Sequence, residues 1–229
     1  YNTDFAQVEA DEQQVNLTRF SLLFPEKREF FLEGQGIFDF GDARSARSLS
    51  ATRRYGTVAS TPVLFFSRRI GLYGGEEVPI RAGGRLTGRA GRYSIGLLNI
   101  QTEEPSSSKT LATNFSVLRF KRDILRRSSI GVIATNRSIG LSGEGSNQVF
   151  GLDTNLAFYE NIRMNGYFAR SQTTGLSGDS DSYRGFMQYD GDRYGAQLER
   201  LVVEENFNPE MGFLRRRDFQ RNFVEIRFS

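Results

Sequence analysis

From Ile80 onward the chain alternates apolar and polar residues in short runs that are separated by turn sequences. Because successive side chains of a strand point to opposite faces of a sheet, this period of two predicts strands. In the clearest run, 149–159, Phe150, Leu152 and Leu156 share one face, while Gly151 and Asp153 share the other. We expect nine strands, at 80–89, 93–102, 112–121, 128–138, 148–158, 162–172, 183–190, 194–203 and 219–228.

The links between these strands alternate in length. The short links are 90–92, 122–127, 159–161 and 191–193, and the long links are 103–111, 139–147, 173–182 and 204–218. A soluble antiparallel sheet with one wet face shows the same apolar–polar alternation, but it does not require loops sorted by length onto opposite ends. Transmembrane β-barrels have short periplasmic turns and longer outer loops. We therefore predict an all-β fold, an antiparallel up-and-down transmembrane β-barrel seen in part, with about ten or more strands.

The first third of the chain differs from the rest. Residues 42–54 are polar and Arg-rich, which predicts a loop, and 61–70 predict a further strand. Before them, 24–34 read FPEKREFFLEG, where Pro25 fits a first helical turn and Gly34 fits a helix stop. We predict that 1–56 form an N-terminal plug-like segment with a polar loop, and that 57–229 form the barrel strands, truncated at the C-terminus. The residues assigned to the plug or mouth motif are Phe24, Pro25, Glu26, Lys27, Arg28, Phe30, Phe31, Glu33 and Gly34.

Two adjacent Phe residues on a loop would expose an apolar patch, and charged residues are costly against lipid. We therefore expect Phe30 and Phe31 to pack against the inner wall or mouth of the barrel, with the charged residues of the motif paired to wall residues. The basic residues assigned to the lumen or rim are Arg68, Arg69, Arg85, Arg89 and Arg119. The last three are the expected partners of the glutamates. For Arg68-Arg69, a salt bridge at the interface or in the lumen and an anion-attracting ring both remain open.

The composition excludes several kinds of catalytic and metal site. The chain has 24 Gly, 20 Phe and 9 Tyr, which suits a barrel with aromatic girdles, but no Cys, His or Trp. Without Cys and His there are no disulfides, thiolate zinc sites or Ser-His-Asp triads, and we assign no catalytic residue, metal site or cofactor. The net charge is +3, with the basic residues spread evenly among 27 acids, so we expect no nucleic-acid partner.

Pairs of carboxylates in the sequence support an alternative function. Glycoside hydrolysis needs two acids that flank one bond at a defined separation. Glu26 with Glu33, or Glu204 with Glu205, supplies such residue types. The alternative function is therefore a carbohydrate-active accessory domain or enzyme, although enzyme activity is the less favoured reading for this chain.

Four stretches carry a family resemblance. Residues 4–41, FFSRRIGL at 65–72, 81–102 and NPEMGFLRRRDF at 208–219 are similar to the bacterial family called domain of unknown function 5916. In that family the domain follows a carbohydrate-binding module of family 9 type and is thought to form an outer-membrane barrel. The resemblance implies transport, gating or docking linked to glycan handling. It implies location in the outer membrane of a Gram-negative-type bacterium.

The resemblance also implies partners. Outer-membrane lipid is the expected one, and glycans would bind through a module that this chain lacks, so sugar binding is assigned to no residue here. Oligomeric state stays open. Strand-like sequence at both ends, Tyr1 to Phe5 and Phe228-Ser229, predicts a piece of a longer protein.

Overall fold

The computed structural model describes residues 26–41, 61–73, 76–104 and 111–228. Phe24, Pro25 and the predicted loop 42–54 lie outside them. One short α-helix, α1 (Glu29–Leu32), is followed by two 3-10 helices, Gln35–Phe38 and Ser67–Arg69. No helix in these ranges is long and apolar enough to cross a membrane.

A small hairpin and one large antiparallel sheet follow. The hairpin joins β1 (Leu72–Tyr73) and β2 (Glu76–Glu77). The strands of the sheet are β3 (Ile80–Ala90), β4 (Tyr93–Thr102), β5 (Asn114–Leu125), β6 (Ser128–Arg137), β7 (Asn147–Phe158), β8 (Ile162–Thr173), β9 (Asp181–Asp190), β10 (Tyr194–Val203) and β11 (Phe219–Phe228). Each pairs with its neighbours in sequence, from β3 at one edge to β11 at the other, and the described part of the sheet does not close. The predicted all-β, antiparallel, up-and-down architecture is confirmed.

The sorting of links by length is also confirmed. Links 91–92, 126–127, 159–161 and 191–193 lie at one end, which we call the short-turn end. Links 103–113, 138–146, 174–180 and 204–218 lie at the other, the long-loop end. Gly91 has φ 58° in the first short link, a conformation that glycine adopts without strain. β5 runs further than predicted, to Leu125, through a register shift between Asp123 and Leu125.

One face of the sheet, the packed face, is buried beneath other parts of the chain. It is formed mainly by Ser94, Gly96, Leu98, Ile100, Phe115, Val117, Arg119, Gly131, Ile133, Thr135, Arg137, Asn147, Val149, Gly151, Asp153, Tyr167, Ala169, Ser171, Ser182, Arg184, Glu199, Leu201 and Val203. The adjacent Leu97 and Leu98, which make 93–102 ambiguous in sequence, divide between the two faces: Leu98 is buried and Leu97 exposed. Both faces of β4 therefore carry an apolar side chain at this point along the strand.

The opposite, exposed face carries most of the exposed large hydrophobic side chains. They are Leu86, Tyr93, Ile95, Leu97, Leu118, Phe120, Ile130, Val132, Phe150, Leu152, Phe158, Phe168, Tyr194, Leu198, Val224, Ile226 and Phe228. Alternation places them on one side because residues paired across neighbouring strands share a face, as Phe120, Val132 and Leu152 do.

Segments from both ends of the described chain cover the packed face. The core joins Phe31, Phe38 and Phe40 from the first segment, and Leu64, Phe65 and Ile70 from the second, to strand residues. Phe207 and Met211 of the link 204–218 are fully buried in the same core.

The predicted strand 61–70 was wrong. Its apolar run is buried, but only Val63 forms a β-bridge, to Phe213, and 67–69 form a 3-10 helix. Phe66 N–H donates to Met211 O at 2.8 Å. The segment thus satisfies its backbone against the link 204–218 instead of joining the sheet.

Candidate functional site

The candidate site is the contact between the packed face of the sheet and segments 26–41 and 61–71. It begins at a buried ion pair close to α1. Arg28 Nη2 lies 2.8 Å from Glu26 Oε2, and Arg28 Nε lies 2.9 Å from Glu26 Oε1. The same guanidinium donates to Ser67 O and Ile70 O, each at 2.9 Å. Ser67 Oγ donates to Glu26 Oε2 at 2.5 Å. This cluster connects the two most distinctive sequence stretches, FPEKREFFLEG and SRRIG.

The cluster also fixes the ionisation of Glu26. Burial opposes the charged carboxylate, but hydrogen bonds from Arg28 and Ser67, together with the Arg28 charge, outweigh burial and lower the pKa of Glu26. Both carboxylate oxygens are occupied by these donors. The arrangement holds Glu26 as an ionised structural anchor, whereas a glycosidase general acid must be protonated.

The aromatic pair of the motif lies where α1 meets β3. Phe31 is buried beneath the guanidinium of Arg28, which is 4.2 Å from the ring centroid, and Phe30 is partly buried against the core. The two rings meet edge to face at 5.0 Å. Arg85 of β3 lies 5.2 Å from the Phe30 ring centroid.

Arg85 of β3 is a sheet residue that contacts this segment. It donates to the backbone carbonyls of Phe30 and Glu33 and pairs with the Glu33 carboxylate. Glu33 is itself exposed, and Lys27 is also exposed. Gly34 follows α1 with φ 66°, as its assignment to a helix stop requires. Of the three wall arginines expected to pair with the glutamates, Arg85 does so.

The remaining basic residues lie elsewhere. Arg89 is exposed near the short-turn end of β3, and Arg119 pairs with Asp153 of the wall. Arg68 and Arg69 belong to the 3-10 helix in the covering segment, where Arg68 is buried and Arg69 Nε donates to Gly212 O at 3.1 Å. The structure therefore does not bring these five arginines together into one ring.

Two glycines of the packed face, Gly96 and Gly151, allow aromatic rings of segment 26–41 to lie directly against the sheet. We call these two positions seats. A Cβ at Gly96 would lie 2.8 Å from Phe38 Cε1, and one at Gly151 would lie 2.6 Å from Phe40 Cζ. Both distances are shorter than real Cβ contacts, so only glycine allows this close approach. The alternation of 149–159 places Gly151 on the same face as Asp153, but the ring that Gly151 accommodates comes from more than a hundred residues earlier in the chain.

The ion pair beside these seats joins three strands. Arg119 reaches across β6 to Asp153, with Nη1–Oδ1 at 2.6 Å and Nη2–Oδ2 at 2.8 Å. It passes over Gly131, where a Cβ would lie 2.6 Å from Arg119 Nη1. Asp153 also accepts from Gly41 N–H at 3.3 Å, and Arg119 lies 5.6 Å from the Phe40 ring centroid. This pair therefore attaches the covering segment to the wall. In the sequence this pair is indicated by Asp153, the charged residue among the alternating positions of 149–159.

A second charged cluster lies on β9 to β11. Glu199 accepts from Arg184 Nε at 2.5 Å and from Arg221 Nη2 at 2.9 Å. The Glu199 side chain is fully buried, so two cations compensate for its desolvation. Arg184 also donates to Asn165 Oδ1 at 2.9 Å.

The link 204–218 packs against the long-loop end of the sheet. Asn147 donates to Asn208 O at 2.8 Å and accepts from Glu210 N–H at 3.2 Å. Glu210 in turn accepts from Leu141 N–H at 2.8 Å. Phe207 and Met211 of the same link belong to the buried core.

The short-turn end instead contains a polar cavity of about 390 Å³. Its lining includes Asp39, Lys121, Asp123, Arg126 and Asp153. Groups of both charges therefore face a space that could accept a small polar solute. No group of three or more acidic, His or Cys side chains converges as a metal site within the described ranges.

The fold defines a class, an antiparallel meander with one packed and one exposed apolar face. Comparison with known families adds one match: the family described as "Domain of unknown function (DUF5916)" matches residues 2–82. The family resemblance is confirmed over that stretch, which contains the Glu26–Arg28–Ser67 cluster and ends early in β3. No curated protein and no solved structure matches the chain.

Proposed function

We propose that this chain forms part of a β-barrel in the outer membrane of a Gram-negative-type bacterium, with its interior filled by the N-terminal segment. The observation that carries the proposal is the distribution of large apolar side chains over the exposed face. A band of exposed large apolar side chains comes from eight of the nine strands, all except β9, while the packed face buries ion pairs. Monomeric soluble proteins rarely expose a contiguous apolar patch of more than a few hundred Å².

The two borders of the band differ in chemistry. Aromatic residues cluster at the short-turn end of the exposed face: Tyr93, Phe158, Tyr189, Tyr194 and Phe228. Tyr194 and Phe228 contact with ring centroids 5.4 Å apart. At the long-loop end the same face is polar, and Asn99 Nδ2 donates to Asn114 Oδ1 and Ser116 Oγ. An apolar band with an aromatic border is the pattern of a lipid-facing barrel wall.

The height of the band agrees with this assignment. On β7 the outward residues run from Phe150 to Phe158. At about 3.3 Å per residue this is roughly 26 Å along the strand, or about 20 Å along the membrane normal at a tilt of about 40°. Barrel proteins present an apolar band of about 25 Å, and the bacterial outer membrane is thinner than average.

The filled interior supports gated transport as the function. The packed face is covered by 26–41 and 61–71, so passage of a solute requires these segments to move. The cavity at the short-turn end is where such a solute would first meet charged groups. The link to glycan handling rests on the family resemblance, in which the domain follows a carbohydrate-binding module.

Two measurements test the proposal. First, the purified chain should need detergent to stay monomeric, and a chain that stays monomeric in plain buffer contradicts the membrane assignment. Second, the chain reconstituted in liposomes should admit small solutes faster when Phe30 and Phe31 are both changed to Ala, because the segment then loses its core contact. Leu32→Ala is the matched control, since Leu32 is in the same helix but exposed. Equal leakage for the two variants contradicts gating by this segment.

A further inference from the structure

The exposed face contains a groove whose border at the short-turn end carries positive charge. The groove has a volume of about 690 Å³ and is lined by Phe120, Ile130, Val132, Leu152 and Phe168. Tyr93 and Arg122 close it toward the short-turn end. Its floor includes Gly166, whose lack of a side chain deepens the groove between the ring of Phe168 and those of Phe120 and Tyr93.

Arg122 is placed to bind an anion at that border. It is exposed, pairs across the sheet with Tyr93 and Ile130, and lies with Cζ 5.3 Å from the Tyr93 ring centroid. Within the described residues no carboxylate forms a salt bridge with it. Asp123 N–H donates to Arg92 O at 2.8 Å, which brings the first short turn beside Arg122.

The charge of the rim is asymmetric. On the β3–β6 side Arg122 faces outward, and Arg92, Arg126 and Arg127 lie in the two short turns. Arg89, Lys121 and Asp123 belong to the packed face instead, paired with Ser94, Gly131 and Ser129. On the β7–β11 side the two short turns carry one basic residue, Arg193, and two acids, Glu160 and Asp192, so this part of the rim has no excess of positive charge. Clusters of four to eight Lys or Arg beside a membrane bind anionic lipid headgroups.

We propose that this groove binds one anionic glycerophospholipid, with an acyl chain between the aromatic rings and its phosphate at Arg122 and Arg92. The inference rests on the proposed membrane function and names the lipid class that the wall selects. An apolar groove that ends in an unopposed guanidinium matches the two parts of such a lipid, since guanidinium binds phosphate through a planar pair of donors. A neutral, zwitterionic lipid would carry its own cation beside the phosphate and gain less from this rim.

The test uses tryptophan fluorescence, since the chain has no Trp of its own. Phe168→Trp places the reporter in the groove, and Ile226→Trp places it on the exposed face of β11, beside the balanced part of the rim. Each variant is reconstituted in bilayers that contain brominated phosphatidylglycerol or brominated phosphatidylcholine, whose bromines quench nearby Trp. The quenching gives the relative association constant of the two lipids at each reporter.

We expect phosphatidylglycerol to be favoured at Phe168→Trp by about fivefold or more, the factor for about 1 kcal/mol per basic residue. At Ile226→Trp the ratio should stay near one. Adding Arg92→Gln and Arg122→Gln should abolish the preference at Phe168→Trp. The control pair Arg193→Gln and Arg227→Gln removes the same total charge near β10 and β11, away from the groove, and should leave the lipid preference intact.

The outcomes separate the two proposals. Quenching at both reporters without a lipid preference overturns the lipid site and leaves the membrane assignment standing. A preference that both double variants abolish equally also overturns the site, because it then reflects overall charge. If neither reporter is quenched by either lipid, the exposed face does not contact the bilayer and both proposals fail.

Discussion

The close contact of the Phe40 ring with Gly151 gives the sharpest test of how segment 26–41 packs against the sheet. In Gly151→Ala the new Cβ would lie 2.6 Å from Phe40 Cζ and 2.9 Å from Leu64 Cδ1. Both partners are buried in the core, with Phe40 packed at 5.5 Å from the Tyr167 ring and Leu64 1% exposed. Because neither can retreat into solvent, we expect an overpacking loss of about 1–3 kcal/mol in the free energy of unfolding.

The matched control is Gly185→Ala. Gly185 lies on the exposed face of β9, where a Cβ would meet no atom within 4 Å. The same substitution there should be neutral or stabilise the chain by about 0.4–1 kcal/mol, because alanine restricts the unfolded state. Guanidinium unfolding of the detergent-folded chain, followed by circular dichroism, measures both changes as shifts in the midpoint.

A double-mutant cycle identifies the contact. Phe40→Ala removes the ring and should itself cost about 3–5 kcal/mol. In that background most of the Gly151→Ala loss should disappear, which gives a coupling of about 0.5–3 kcal/mol between the two positions. Two results would refute this contact. One is an equal effect of Gly151→Ala and Gly185→Ala on the free energy of unfolding, and the other is a loss from Gly151→Ala that is the same with and without the Phe40 ring.

Two further predictions concern the ion pairs. Asp153→Ala leaves Arg119 buried without its partner and should cost about 3–5 kcal/mol, whereas Asp190→Ala, in the exposed pair with Arg227, should cost less than about 1 kcal/mol. Similar midpoint shifts for the two variants would contradict the buried linkage. Because the pKa of Glu26 is lowered from its ordinary value of 4.5, its stabilisation is fully present above pH 4.5 and is lost as the pH falls through the folded-state pKa. Melting temperature measured against pH should therefore fall less steeply in acid for Glu26→Gln, and parallel curves for the variant and the original chain would show that Glu26 contributes nothing.

The strands were predictable because their signal is local. For 93–102, 194–203 and 219–228 the observed bounds equal the predicted ones, since a period of two and a turn sequence on each side define a strand without reference to the rest of the chain. The sorting of loops by length was visible for the same reason.

The interior was less predictable because its contacts are distant in sequence. The run 61–70 has the composition of a buried strand, yet its backbone partners are Met211 and Phe213. Nothing in the periodicity of 204–218 shows that Phe207 folds inward as part of the core. Glu26 was assigned to the correct segment, but its partner is Arg28, two residues away, and not a residue of the wall. Such choices depend on which segments meet, and a single sequence does not record this.

The most direct test of the account is the pattern of lipid contact along β11. Because the chain has no Cys, a nitroxide label can be attached to one introduced Cys at a time. The positions are Val224 and Ile226 on the exposed face, and Glu225 and Arg227 on the other. In reconstituted bilayers, electron paramagnetic resonance should show the label at 224 and 226 accessible to oxygen but shielded from a water-soluble nickel chelate. At 225 and 227 the order should reverse. A label at 224 or 226 that the nickel chelate reaches as readily as at 225 would contradict a lipid-facing wall.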